Sequence, residues 1–460
     1  MFRKPALAIL AASALSACRD SASNLATAPI SALRDRGGAD NSATVALVRQ
    51  LTASRGITAL PKAPHVRDEL ANLGQLLAFD PILSGNKNIS CMTCHMPAFA
   101  TGDGKSLSVG EGGVGFGPPR EHTGNVFIAR NAPSLFNMAA MRHLFWDGRI
   151  QVDGHGGVAT PAGNQVTPDM QRVFEFGPIS AIPMFPPTNR AEMRGQLGTN
   201  ELAAVPDADN PGIWAAIMRR LGAIPEYRRM FEAAYPGTKF DDMTFAHAAN
   251  AIGGFMVSKL TFNNTPWDRF LAGNDNALSP AQLDGAQTFM TLKCSICHTG
   301  ATFSDEDFHN VAVNQVGPGE GDGVGGHDDF GRMRVTGLAS DRYRFRTSPL
   351  RNIELTGPYG HDGAITSLRG FVEHYSQSEL KLTAYDPMQL EPNLRGMVQS
   401  NTSDILAQRD PLLEGVVIPS DLVDKLMAYM GALTDDAARD LKHLVPNKVP
   451  SGLQVVPKNP

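Results

Sequence analysis

The chain has 460 residues, a formal net charge of −5 and 42% hydrophobic residues, so it can form two or three domains with real cores. This composition excludes wholesale disorder, and the mild acidic charge argues against a nucleic-acid-binding protein. The 45 glycines and 32 prolines predict long irregular loops. The periodic apolar segments are helical, so we expect a mainly α protein without a large β-sheet.

The first residues have the pattern of an export signal. Two basic residues precede an uncharged apolar run over residues 6–17, which is too short to cross a membrane and ends at Cys18. We predict a signal peptide over residues 1–17. The string Leu-Ser-Ala-Cys resembles a bacterial lipobox, which implies a periplasmic protein anchored to the outer membrane through a lipidated Cys18; plain secretion is the alternative. Residues 18–60 are expected to be a flexible tether and N-terminal extension.

Apolar residues at helical spacing predict a series of helices along the chain. The predicted helices are 68–79, 211–234, 244–260, 280–292, 367–375 and 420–433. A polar, turn-rich stretch near residues 271–277 favours a domain boundary there. We therefore expect domains over residues 61–273 and 274–435, and a C-terminal tail over residues 436–460. Two loops rich in glycine and proline, at 109–119 and 153–168, are predicted to be lids or insertions.

The four cysteines that follow Cys18 form two complete Cys-x-x-Cys-His motifs. These are Cys91-Met-Thr-Cys94-His95 and Cys294-Ser-Ile-Cys297-His298. The pattern is typical of c-type haem attachment, in which both thiols bond to the porphyrin and the adjacent histidine is the proximal iron ligand. A zinc site usually draws its cysteine pairs from nearby sequence, and a thioredoxin-like site needs one pair in a βαβ setting. The sequence therefore predicts two covalent haems, each preceded by one predicted helix.

Seven further strings occur in a fixed order along the chain. They are Leu83-Ser84, Arg130-Asn-Ala-Pro-Ser-Leu-Phe-Asn137, Phe145-Trp-Asp-Gly-Arg149, Arg190-Ala-Glu-Met193, Phe345-Arg-Thr347, Leu350-Arg-Asn352 and Pro358-Tyr-Gly-His-Asp-Gly363. Together with the haem motifs they resemble bacterial di-haem cytochrome c peroxidases and their MauG-like relatives. The resemblance covers roughly residues 65–435. It implies two cytochrome c-like domains, with a peroxide-reactive haem in the first and an electron-transfer haem in the second.

The resemblance also assigns roles to individual residues. His95 and His298 are the proximal ligands of the two haems, and Trp146 lies between the haems as a charge relay. Glu192 lies above the first iron, where a carboxylate suits the proton transfer that breaks a peroxide O–O bond. From the residues alone, the default interpretation of Trp146 is a core aromatic, and that of Glu192 is a solvated surface charge.

A calcium ion is a further implication of the resemblance. Asn131 and the backbone carbonyls of Thr356 and Pro358 fall at the family's interdomain calcium positions, and such oxygen ligands suit a hard cation. Considered alone, Asn131 is an ordinary turn residue.

Two departures from the family pattern concern the first haem. Peroxidases that need reductive activation carry a removable histidine after a Ser-x-Gly string, whereas this chain has Glu111 there, so we expect the first iron to be open at rest. His122 is the rival ligand, although a loop histidine is more often solvated. The family's distal glutamine is replaced by Ile182.

A third departure concerns the second haem. The family's axial methionine lies fourteen residues after the histidine of the Pro-Tyr-x-His string, and that position, counted from His361, is Tyr375. Tyrosine there is the MauG-like pattern, and a phenolate ligand lowers the iron potential where a thioether raises it. The alternative is that Met388 or Met397 is the ligand.

These features together predict a c-type haem oxidoreductase that reduces hydrogen peroxide at the first haem. Electrons would arrive through the second haem from a small cytochrome or cupredoxin, or from a protein substrate as in MauG. The alternatives are a non-catalytic di-haem electron carrier and an oxidase of a protein or organic substrate.

Overall fold

The structure, a computed structural model, describes residues 41–460. The predicted signal peptide, Cys18 and the first part of the predicted tether lie outside these residues. The described part forms one compact unit. None of its helices is both long and apolar enough to cross a bilayer.

The architecture is mainly helical, as the periodicity predicts. The helices are α1 Asn41–Ser54, α2 Asp68–Phe79, α3 Cys91–Cys94, α4 Pro168–Val173, α5 Pro178–Ala181, α6 Asn210–Gly222, α7 Pro225–Ala234, α8 Phe245–Lys259, α9 Pro266–Leu271, α10 Pro280–Thr291, α11 Cys294–Cys297, α12 Met333–Thr336, α13 Leu368–His374, α14 Ser378–Thr383, α15 Thr402–Ala407 and α16 Ser420–Ala432. The strands are β1 His143–Leu144, β2 Ile150–Val152, β3 Val158–Ala159, β4 Phe308–His309 and β5 Phe345–Arg346. Long irregular segments connect these elements.

The strands form two small antiparallel sheets. The first has the order β1-β2-β3, with Gln151 of β2 opposite His143 on one side and Ala159 on the other. The second pairs β4 with β5, with Phe308 opposite Arg346. Both sheets are too short to form a layer, so the core is built by helices.

One predicted helix is wrong in its extent. The predicted helix over 211–234 is two helices, α6 and α7, because the chain breaks at Ile224, which has φ −104° and ψ 108°. Ile224 precedes Pro225, and the proline ring disfavours helical geometry in the residue before it. The other five predicted helices coincide with α2, α8, α10, α13 and α16 to within two residues.

Two helix pairs form the framework, and each relies on a glycine at the crossing. Helix α2 packs on α8, and α10 packs on α16. A Cβ on Gly74 of α2 would lie 1.8 Å from the carbonyl oxygen of Ala251, and a Cβ on Gly285 of α10 would lie 2.0 Å from that of Lys425. Only glycine permits this backbone approach.

The two ends of the described chain pack on opposite parts of the molecule. Helix α1 lies against α10, and Arg49 of α1 forms an ion pair with Asp275. At the other end, the tail contacts α2, where the Gln75 amide donates to the carbonyl oxygen of Leu444. The tail residues Leu441, Leu444, Val445, Val449 and Val456 join the core cluster built by α2 and α8. Residues 41–54, which fall in the predicted flexible tether, are instead a helix whose apolar face packs on α10, and the tail is part of the core.

Candidate functional site

The first haem motif holds its histidine in one orientation. Cys91 and Cys94 lie on the single turn α3, and the chain then bends through Ala100 and Thr101, which both have positive φ. This bend brings the Thr101 carbonyl oxygen to 2.9 Å from His95 Nδ1, which donates to it. Burial lowers the pKa of His95, so the ring is neutral. Nε2 is thereby the nitrogen available to a metal, which is the usual arrangement of a ligating histidine.

The second motif repeats this geometry. His298 Nδ1 donates to the carbonyl oxygen of Phe303 at 2.9 Å, and Phe303 has a φ of 59°. Burial also lowers the pKa of His298. The two regions differ in sequence after the motif, but in both the histidine ring is neutral and is held by a hydrogen bond from Nδ1 to a backbone carbonyl oxygen.

The thiols are available for covalent haem attachment. All four motif cysteines are unpaired and partly buried. Burial raises the pKa of Cys91 and of Cys294 to about 12 and raises that of Cys94. Among residues 41–460, the first motif belongs to no group of three or more neighbouring metal-binding side chains, whereas Cys297 of the second motif lies within 4.8 Å of ligand atoms of Asp305 and His309. Each motif thus offers two thiols and one imidazole nitrogen, the set that a c-type haem requires.

Glu192 is the predicted acid–base residue of the first haem site. It belongs to a π-helical turn, Arg190–Arg194, a form that is frequent at functional sites. Asn189 caps this turn, because its Oδ1 accepts from the backbone N–H of Glu192 at 3.1 Å. Burial raises the pKa of the Glu192 carboxyl to about 7, and its charge acts in turn on the Cys91 thiol. The carboxyl is therefore electrostatically coupled to the first motif and has a pKa suited to proton transfer near neutral pH.

Glu111, at the position of the removable histidine, is held by neighbouring amides. Its Oε1 accepts from Asn86 at 2.6 Å and from Asn88 at 3.2 Å, and its backbone N–H donates to the Ala191 carbonyl oxygen at 3.0 Å. The rival ligand, His122, is half-buried, and its Nδ1 accepts from the backbone N–H of Gly124 at 2.9 Å.

The predicted lid over residues 109–119 is tied down by one arginine. The buried Arg120 guanidinium donates to the carbonyl oxygens of Val109 at 2.6 Å, Gly110 at 2.7 Å and Gly115 at 2.9 Å. Three charge-assisted hydrogen bonds fix the conformation of the loop that carries Glu111.

Trp146 connects segments that are distant in sequence. Its indole Nε1 donates to the carbonyl oxygen of Asn131 at 2.9 Å, and its own carbonyl oxygen accepts from the backbone N–H of Arg346 on β5 at 2.8 Å. The side chain is half-buried, and its indole hydrogen bond fixes its orientation.

The candidate calcium residues belong to two segments that are distant in sequence. Asn131 donates its backbone N–H to the carbonyl oxygen of His361 at 2.8 Å, which attaches it to the segment that also carries Thr356 and Pro358. Its side-chain Nδ2 donates to the carbonyl oxygen of Lys105 at 3.0 Å, so Oδ1 is the amide atom left for a cation. The site itself stays a prediction.

Tyr375 is the predicted axial ligand of the second haem. It follows α13 directly, and burial together with the Cys297 and Cys294 thiols raises its pKa. Its hydroxyl makes no hydrogen bond to another described residue. Met388, an alternative ligand, is 62% exposed at the surface. Met397, the other alternative, is partly buried and packs against the cluster that contains Leu107 and Val109. The axial ligand of the second haem stays a prediction.

The sequence analysis missed a charged group beside the second motif. His309 Nδ1 lies 2.6 Å from Asp410, and its Nε2 lies 3.1 Å from Asp305. These two carboxylates raise the pKa of His309 to about 12, so the imidazolium is charged. Asp410 is 101 residues from His309, and no local pattern indicated the pairing.

A second missed feature is a buried ion network. Arg130 pairs with Asp147 and with Asp329, both at 2.6 Å, and all three side chains are buried. Arg130 and Asp147 belong to strings that the sequence analysis singled out, but Asp329 does not. The network joins residues on both sides of the predicted domain boundary.

Comparison with known proteins identifies relatives of one kind. The family described as di-haem cytochrome c peroxidase matches residues 68–276. The chain is 30% identical to cytochrome c551 peroxidase of Pseudomonas aeruginosa over 315 residues, which are 68% of this chain and 74% of that protein. It is 29% identical to the methylamine utilization protein MauG of Paracoccus denitrificans over 395 residues, 80% of this chain and 89% of that one. A crystal structure of a MauG-like protein associated with microbial copper homeostasis has a similar fold, with a TM-score of 0.58, 23% identity and coverage of 85% of this chain and 96% of that one.

Proposed function

The chain belongs to the di-haem cytochrome c peroxidase family, and from this premise we propose that it reduces hydrogen peroxide at a haem held by Cys91, Cys94 and His95. Cys294, Cys297 and His298 would hold a second haem, which would supply the route for electrons from a protein donor. The first haem would supply the iron at which peroxide binds and is reduced. The remaining chemistry belongs to side chains of this protein.

The observation that carries this proposal is the Glu192 carboxyl with a pKa of about 7 on the side of the first motif. At neutral pH such a group is present in both forms, so it can accept a proton from one peroxide oxygen and donate it to the other. This transfer turns the departing oxygen into water. A non-catalytic electron carrier transfers no protons to a substrate, so it does not need a carboxyl that titrates near neutral pH next to its haem.

The second haem site sets the kind of donor. Tyr375 lies on that side, and a phenolate ligand would lower the potential of the iron. A haem held there would take electrons poorly from a high-potential cytochrome, and Trp146 would carry charge between the two haem sites. We therefore place the protein on the MauG-like side of the family, where the electron source is a protein substrate or a small donor protein.

Two further proposals concern the setting of the reaction. The N-terminal pattern supports a periplasmic protein whose lipidated Cys18 attaches it to the outer membrane. Asn131, with the carbonyls of Thr356 and Pro358, supports a calcium ion between the two haem domains. Neither affects the chemistry assigned to Glu192.

The test uses the full-length haem-loaded protein. An EPR spectrum of the resting ferric form should show one high-spin haem and one low-spin haem, and mixing with hydrogen peroxide should change the spectrum without prior reduction. Consumption of peroxide should then depend on an added electron donor. Two low-spin haems that do not respond to peroxide would instead support a plain electron carrier.

A further inference from the structure

Glu391 has a carboxylate oxygen that no neighbouring donor satisfies. Its Oε1 accepts from the backbone N–H of Ser106 at 2.9 Å, whereas its Oε2 is shielded from water and has no hydrogen-bond partner among residues 41–460. Burial of a carboxylate oxygen is costly unless a donor or a cation replaces the lost hydration. The environment of Oε2 therefore favours a bound cation.

A second buried oxygen lies beside the first. The side chain of Ser106 is fully buried, and its Oγ has no hydrogen-bond partner in the described part of the chain. The Ser106 backbone N–H donates to Glu391, and the Ser106 carbonyl oxygen accepts from Asn131 Nδ2 at 3.2 Å. Two hydrogen bonds thus connect Glu391, through Ser106, with the candidate calcium ligand Asn131.

Glu391 and Ser106 also share a cavity with the candidate calcium ligand Pro358. All three residues line this cavity, which has a volume of about 820 Å³. The segment that follows Pro358 lies against Ser106, since a Cβ on Gly363 would be 2.5 Å from Ser106 Cα. The candidate calcium ligands and the two unpartnered oxygens therefore belong to one region of the fold.

The segments that carry Ser106 and Glu391 are held together by apolar packing. Leu107 and Leu390, their neighbours in sequence, are buried in one hydrophobic cluster. Arg395 Nε donates to the carbonyl oxygen of Leu390 at 3.0 Å, which fixes the turn beside Glu391. A carboxylate that is already held in position loses little conformational freedom when it binds an ion.

The predicted calcium ligands are all neutral. They are the Asn131 side chain and the carbonyls of Thr356 and Pro358, whereas proteins set their calcium affinity partly by the charge of the ligands. The other carboxylate that lines the cavity, Glu354, pairs with Arg439 at 2.5 Å. Glu391 is therefore the carboxylate that is available to the ion.

We propose that Glu391 Oε2 is the negatively charged ligand of the calcium ion and that the Ser106 hydroxyl is a further oxygen ligand. The family resemblance assigns neither residue to the ion. Bound in this way, the ion joins the segment after the first haem motif to a segment in the second half of the chain. The inference rests on the calcium ion of the proposed function and not on peroxide reduction.

The experiment measures calcium binding to the full-length haem-loaded protein after treatment with a chelator. Equilibrium dialysis gives the number of bound ions and the dissociation constant, and thermal unfolding with and without calcium is an independent readout. Glu391→Gln and Asn131→Ala are compared with a matched control, Glu354→Gln. The control removes a carboxylate from the same cavity, but one that already has a partner, Arg439.

Wild type should bind one calcium ion per chain, and calcium should raise its unfolding temperature. Glu391→Gln should weaken calcium binding by about a hundredfold or more, because a charged ligand becomes neutral while the shape of the side chain is kept. The stabilisation by calcium should shrink accordingly. Asn131→Ala should also weaken binding, and Glu354→Gln should bind calcium as wild type does.

The role of Glu391 is wrong if Glu391→Gln binds calcium as tightly as Glu354→Gln. If Asn131→Ala then still weakens binding, the proposed calcium ion stands without Glu391, and if wild type binds no calcium, both are wrong. Failure of the proposed peroxide chemistry is seen separately. In that case wild type does not react with peroxide, or Glu192→Gln reacts at the wild-type rate.

Discussion

The two Cys-x-x-Cys-His regions hold their histidines in the same way and differ in the ionisable side chain that is coupled to each motif. In both, a one-turn helix carries the two cysteines, a residue with positive φ follows, and histidine Nδ1 donates to a backbone carbonyl oxygen at 2.9 Å. The first region is electrostatically coupled to the Glu192 carboxyl, and the second to the Tyr375 phenol.

This difference shows how one haem-binding frame can serve two tasks. A carboxyl with a pKa of about 7 moves protons at neutral pH. A phenol can instead occupy the iron and tune its potential. The charged His309 lies beside Cys297, whereas the cation that acts on Cys94 in the first motif is Arg120. The following predictions test the comparison, beginning with the largest expected effect.

Removing one pair of cysteines should remove one haem. Cys294→Ala combined with Cys297→Ala should leave a single covalent haem, and the matched pair Cys91→Ala and Cys94→Ala should leave the other, because each motif binds independently. Mass spectrometry under denaturing conditions measures the number retained. A wild-type protein that carries zinc or only one haem would contradict the assignment of both sites.

Replacing Glu192 should affect chemistry but not haem content. Glu192→Gln should slow the reaction with hydrogen peroxide by about two to four orders of magnitude in stopped-flow measurements. In wild type the rate should increase with pH around 7, as the carboxyl ionises and becomes a base, and the variant should lack this change. Glu111→Gln is the control, since Glu111 is bound to Asn86 and Asn88. Equal rates for the two variants would remove Glu192 from the mechanism.

Replacing the glycine at either helix crossing by alanine should destabilise the protein to a similar extent. Gly285→Ala and Gly74→Ala should each lower the free energy of unfolding by about 1–3 kcal/mol or more, because the added methyl group meets a backbone carbonyl. Gly396→Ala is the control, since nothing lies within 4 Å of a Cβ there. Denaturant unfolding followed by circular dichroism measures the difference. A tolerant Gly285 beside an intolerant Gly74 would show that only one crossing is tight.

Introducing the removable histidine should close the first site. In Glu111→His the imidazole should reach the first iron, so that the resting EPR spectrum becomes entirely low-spin and reactivity with peroxide appears only after one-electron reduction. Wild type should show a high-spin first haem. An entirely low-spin wild-type spectrum would mean that another group, such as His122, already binds the iron.

Exchanging Tyr375 should shift the second haem alone. Tyr375→Met should raise its reduction potential by on the order of a tenth of a volt, within the range of about 0.8 V over which axial ligands set haem potentials. A methionine-to-iron band should appear at the red end of the absorption spectrum. If wild type already shows that band, Tyr375 is not the ligand, and the proposed role of the phenol in the second region is wrong.

The sequence-based predictions were correct where the structure depends on neighbouring residues in the chain. Helix α10 starts with Ser279 as N-cap and Pro280 at its first position, and its apolar spacing fixed its extent to within one residue. The predicted helix over 211–234 was wrong because the effect of Pro225 on the preceding residue was overlooked. The resemblance brought Glu192 and Tyr375 to attention, but their environment could not be predicted.

The sequence by itself determined the two haem motifs, most of the helices and the family, because haem attachment needs five consecutive residues and helical periodicity needs about a dozen. Only the tertiary structure decided the pKa of Glu192, the charge of His309 and the burial of Arg130. Each depends on partners that are distant along the chain, such as Glu320, Asp410 and Asp329. Electrostatic interactions act through space, so the chemistry of these residues was set only when the chain folded.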